Sequence, residues 1–116
     1  MFEFAASRAW QGFDYLTPDM VHPEDFIEDQ ERLLREGEVI DDDILRGACP
    51  SQAVQWLPPM LGAPLRILSE STLSPDLKLS WEELEGLSLD YENPWVQKYL
   101  EFIRVLVEAS GGRYPI

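Results

Sequence analysis

The sequence predicts an α+β fold, mainly helical, with a small two- or three-stranded sheet and not a complete barrel. Three observations carry that expectation. Two segments combine strong helix-start signals with apolar residues at helical spacing. Residues 64–68 have strand character. The length of 116 residues suits one small domain and falls short of a barrel or doubly wound enzyme of ordinary size. Area scaling lets a chain of this length remove about two-thirds of its unfolded surface from water, enough for one modest core. A hydrophobic content of 45% with 11% aromatic residues argues against disorder.

Two parts are expected, an N-terminal arm (residues 1–19) and a single module (residues 20–116). In the arm, Phe2, Ala5, Ala6, Ala9, Trp10, Phe13 and Leu16 recur at helical spacing. An isolated helix so short is marginal in water, so the arm must dock on its own module or on another copy. Thr17-Pro18 and His22-Pro23 break it, because residues before proline avoid helical backbone.

Residues 23–36 read as a helix. Pro23 suits the first helical position, and Glu24 and Asp25 suit the positive N-terminal end. Glu28 with Arg32 and Glu31 with Arg35 are spaced for favourable pairs. Phe26, Ile27, Leu33 and Leu34 make the stripe, and Gly37 is the expected C-cap. Ser51 can start a helix through Leu57, which Pro58-Pro59 must interrupt. Residues 64–68 read as a strand, with residues 77–79 as its partner. Ser80-Trp81-Glu82-Glu83 is a capping box for a short helix ending at Gly86. Asn93-Pro94 starts the last helix. Val96, Tyr99, Leu100, Ile103, Leu106 and Val107 form the best apolar stripe in the chain, and Gly111-Gly112 stops it. Residues 113–116 read as the opening of a strand.

Charge is the unusual property. Twenty-two Asp and Glu against nine Lys and Arg give −13. Such a surface repels nucleic-acid phosphates and anionic lipid, so neither is an expected partner. No apolar run reaches the length of a membrane span. No apolar leader opens the chain, and Cys49 alone cannot form an intrachain disulfide. A cytoplasmic protein is expected.

Chemistry-bearing constellations are sparse. The run Glu36, Glu38, Asp41, Asp42, Asp43 lacks the glycine and terminal glutamate of a calcium loop, and reads as solvated surface. His22 and Cys49 have no spacing that suggests a nucleophilic pair. His22 reads as structural at a helix start, and Cys49 as a small buried residue. Four zinc ligands at their usual spacing are absent. Gly111-Gly112-Arg113 closes a helix rather than opening one, the wrong polarity for an anion. Trp10, Trp56, Trp81 and Trp95 read as core or interface. No catalytic residue, cofactor or metal site is assigned.

Leu61-Gly62-Ala63-Pro64-Leu65, Ser80-Trp81-Glu82-Glu83-Leu84, Asp90-Tyr91-Glu92-Asn93-Pro94-Trp95 and Gly112-Arg113-Tyr114-Pro115 together resemble uroporphyrinogen decarboxylase-like proteins, and more closely their relatives outside the haem pathway. The run from Glu92 to Phe102 is the most specific piece, and the resemblance spans residues 20–116. It implies kinship with a (β/α)₈ barrel family, matched only in the part leading into the early strands. Active sites of such barrels are assembled at the C-terminal ends of several strands. The family's arginine-rich substrate loop and the His-x-Cys pattern of the related methyltransferases are absent, so no catalytic residue carries over.

Three functions follow as expectations. The first is a stand-alone module, non-catalytic alone, that self-associates as a dimer or higher oligomer. Its interface candidates are Phe2, Phe4, Trp10, Phe13, Trp95, Tyr99, Ile103 and Leu106, with exchange of the arm between copies as one route. The second is one subunit of a split decarboxylase- or methyltransferase-like enzyme. The third is an acidic module that binds a basic protein.

Overall fold

The computed structural model describes residues 5–51, 53–69 and 71–116. The fold is α+β and mainly helical, with a small open antiparallel sheet, as the sequence predicts. The arm forms a 3-10 turn, Ala5–Trp10, instead of an amphipathic helix. Only Trp10 of that turn is buried, so one anchor replaces a stripe. Its indole packs 5.8 Å from the Phe26 ring, and its Nε1 donates to the Met20 carbonyl at 3.0 Å. The arm thus docks on its own module. It continues into strand β1 (Tyr15–Leu16) and a second 3-10 turn, Pro18–Met20.

The helix expected over residues 23–36 begins as a 3-10 turn, Pro23–Phe26, and continues as α1 (Ile27–Glu38). It runs past Gly37, which is therefore not a cap. Gly37 is buried beneath the Arg46 side chain, and a Cβ there would collide with it. The expected pairs form differently. Arg32 bonds Asp29 at 3.4 Å and Glu36 at 3.1 Å, and Glu31 is taken at 2.7 Å by Arg113, far away in sequence. Two buried polar side chains staple α1 to its surroundings. Asp29 accepts from the Ala6 amide at 3.4 Å, and Gln30 donates to the Cys49 carbonyl at 2.9 Å.

No helix starts at Ser51. The next helix is α2 (Leu57–Met60), and Pro58-Pro59 lie inside its first turn. Amides there have no intrahelical partner, so proline costs nothing. Strand β2 (Leu65–Ile67) lies at the centre of the sheet, between β1 and β3 (Thr72–Leu73). Leu16 pairs with Leu65, and Ile67 with Thr72. The partners of β2 are therefore these two strands and not residues 77–79. Buried Thr72 donates Oγ1–H to the Ala53 carbonyl at 2.9 Å and accepts the Gln55 amide at 3.1 Å, which covers the outer edge of β3.

Helix α3 (Trp81–Glu85) carries both bonds of the capping box. Ser80 Oγ accepts the Glu83 amide at 3.2 Å, and Glu83 Oε2 accepts the Ser80 amide at 2.7 Å. Helix α4 (Pro94–Ser110) starts on Asn93, whose Oδ1 accepts the Trp95 amide at 2.8 Å. Gly111 closes it in the left-handed region, φ 53°, which glycine tolerates without a Cβ penalty. Residues 113–116 add no strand; the Pro115 carbonyl instead accepts the Ala48 amide at 2.9 Å. Phe102 sits at the centre of the core, fully buried, 5.3 Å from the Phe26 ring and 5.9 Å from Trp56. Trp56 in turn meets Trp95 and Tyr99 edge-on.

Candidate functional site

The expected interface residues separate by burial. Trp10, Trp95 and Leu106 are buried and fill the core of the single chain. Tyr99 and Ile103 are half-buried on α4, Tyr99 against Trp56. Phe13 stands free, 60% exposed, on the turn after the arm's anchor. Phe2 and Phe4 lie outside the described residues. The two apolar stretches that suggested an association surface are therefore largely consumed inside the chain.

Exposed apolar surface gathers elsewhere. Every residue from 75 to 92 is exposed. That stretch leaves β3, carries α3 on its capping box, and returns to Asn93. Helix α3 has no buried residue. Trp81 is 82% exposed and Tyr91 68%. Leu73, Leu77, Leu79, Leu84, Leu87 and Leu89 are each between 37% and 46% exposed. Local bonds help to shape the stretch: the Asp76 carboxylate accepts the Lys78 amide at 3.3 Å, and the Asp90 carboxylate accepts the Glu92 amide at 3.0 Å. The Ser80 amide first, and the Ser80 hydroxyl second, hold the Glu83 carboxyl below the usual range. The molecule is correspondingly elongated, 49 × 29 × 27 Å, with a radius of gyration of 15.9 Å. A compact domain of 100 residues has about 13 Å.

Other sequence candidates stay structural. His22 precedes the Pro23–Phe26 turn as its cap residue, with an exposed side chain that makes no cap bond. Cys49 is exposed, contrary to the buried position expected, and its backbone carbonyl accepts from Gln30. Within the acidic run, Asp42 holds Arg46 through two bonds, at 2.6 and 2.9 Å, and also accepts the Ile44 amide at 3.0 Å. Those bonds keep the Asp42 carboxyl below its ordinary range, Arg46 contributing most. Among the described residues, no group of three His, Cys, Asp or Glu side chains is placed to hold a metal ion. No described helix is long and apolar enough to cross a membrane.

No protein-family model, curated protein or solved structure matches this chain. The antiparallel sheet lends no support to kinship with a barrel family, whose strands run parallel.

Proposed function

We propose that this chain is a self-associating interaction module, non-catalytic on its own, and that residues 73–91 carry its association surface. The single supporting observation is the exposed apolar stretch. Soluble monomers rarely leave large apolar surface contiguous, and these eight exposed side chains follow one another within a single segment of the chain. Trp81 and Tyr91 each leave on the order of 150 Å² in water. With the six leucines the total approaches the ~800 Å² that one partner contributes to a standard interface. At about 25 cal/mol per Å², covering that area supplies a driving force for association, against which the cost of immobilising a second copy is set. Kinship with the front of uroporphyrinogen decarboxylase-like proteins and a cytoplasmic setting belong to the same proposal. The first rests on the Glu92 to Phe102 run, the second on a lone cysteine.

Size-exclusion chromatography with light scattering over a concentration series tests the proposal. A dimer or larger species is expected, and Trp81→Ser with Leu84→Ser should return it to a monomer. Both residues are exposed, so the double variant keeps its core. A monodisperse monomer of the unaltered chain at every concentration would overturn the reading.

A further inference from the structure

The two faces of the sheet differ in what covers them. Along β2, Leu65 is buried, Arg66 exposed and Ile67 half-buried. Leu65 and Ile67 turn inward with buried Leu16 and Thr72 as their cross-strand partners, and that face closes the core. On the outer face the register sets Tyr15, Arg66 and Leu73 in one row across the three strands. Leu68 follows Arg66 by two residues and so lies on the same side. Tyr15, Leu68 and Leu73 are all exposed. The solvated face of an antiparallel sheet is ordinarily polar, whereas the one charge on this face is Arg66. Its guanidinium makes no ion pair or hydrogen bond among the described residues. None of the residues of β1, β2 and β3 is acidic.

The exposed stretch over residues 73–91 has the opposite charge, five carboxylates against one lysine. Two copies pressed together through that stretch alone would set like charges against each other, which is costly at an interface. On α3, Trp81, Leu84 and Glu85 stand at i, i+3 and i+4 and share one side of the helix. The Glu85 carboxylate makes no ion pair or hydrogen bond among the described residues.

We propose that the outer sheet face is the receptor for the 73–91 stretch of a second copy, with Trp81 and Leu84 laid on Tyr15 and Leu68 and Glu85 paired with Arg66. The inference rests on the self-association reading and names what the stretch meets. Face and stretch adjoin at Leu73, which belongs to both. A two-fold axis beside Leu73 therefore lets each copy lay its α3 on the other's sheet. The contact then occurs twice and closes as a dimer, where a one-way contact would build a chain. The apolar side chains supply the area, and the single ion pair fixes the orientation.

Charge reversal in the full chain, read by sedimentation equilibrium, is the test. Both positions are exposed. Arg66→Glu and Glu85→Arg should each weaken the dimer about tenfold, the size of one charge-assisted bond, and Arg66→Gln should weaken it less. Glu85→Arg lowers the chain's negative charge, so general repulsion alone would make that variant's dimer tighter. An equimolar mixture of Arg66→Glu and Glu85→Arg should form heterodimers near the parent affinity. In that heterodimer one contact keeps Arg66 with Glu85 and the other holds the same pair reversed. A mixture no tighter than the two variants apart, or a dimer that neither reversal weakens, overturns the proposal; the self-association reading survives if Trp81→Ser with Leu84→Ser still dissociates that dimer. A parent chain that is monomeric at every concentration removes both.

Discussion

Single side chains carry very different weights in this molecule. Phe102 is wholly buried and touches the rings of both Phe26 and Trp56. Phe102→Ala should cost about 3–5 kcal/mol, from lost transfer energy and the cavity left behind. That is a large share of a small domain's stability, and chemical denaturation should show the midpoint collapse. Tyr114 behaves oppositely. Its buried hydroxyl has no hydrogen-bond partner within bonding distance among the described residues, so Tyr114→Phe should raise stability by ~1 kcal/mol.

At the scale of elements, helix α3 depends on its cap because none of its residues is buried. Ser80→Ala should fray α3, seen as faster amide exchange at Glu83 and Leu84, with little change in the global unfolding midpoint. Acid should do the same. The Glu83 carboxyl is held low by the Ser80 amide first and the Ser80 hydroxyl second. Its contribution is therefore complete above the ordinary glutamate value of about 4.3, and is lost as pH falls through the lower folded value. These elements were readable because their signals are local. Ser80 with Glu83, and Asn93-Pro94, specify a helix start within four residues. The sheet was not readable to the same degree. The pairing of Leu16 with Leu65 joins strands nearly fifty residues apart, and no short pattern announces it. Pro58-Pro59 misled for a positional reason: the same dipeptide that breaks a helix interior is harmless in a first turn. The association surface was hidden for a further reason. The apolar stripes of the arm and α4 looked available, yet burial claimed Trp10, Trp95 and Leu106. Trp81 reads, like the other three tryptophans, only as core or interface, and sits in a capping box whose other side chains are polar. A tryptophan on a five-residue helix with Leu84 as its one apolar partner at helical spacing was the available signal.

For the molecule as a whole, charge and apolar surface oppose each other. Residues 1–49 hold 13 acids against 4 bases, and two copies approaching one another each carry −13. Association through residues 73–91 must overcome that repulsion. Added salt should therefore strengthen it, as should lowering the pH toward the isoelectric point of 4.2, until the α3 cap fails. Sedimentation at several salt concentrations reads the sign directly. An interface built on ion pairs would weaken with salt.

The four tryptophans divide the molecule into two optical compartments. Trp10 and Trp95 are buried and Trp56 is half-buried among aromatic rings, whereas Trp81 faces water. Red-edge emission and acrylamide quenching therefore report chiefly on Trp81. The other three give a blue-shifted background tied to the integrity of the fold. A partner docking on α3 would shield one fluorophore and leave the background unchanged, so the native chain is its own binding sensor without an attached dye.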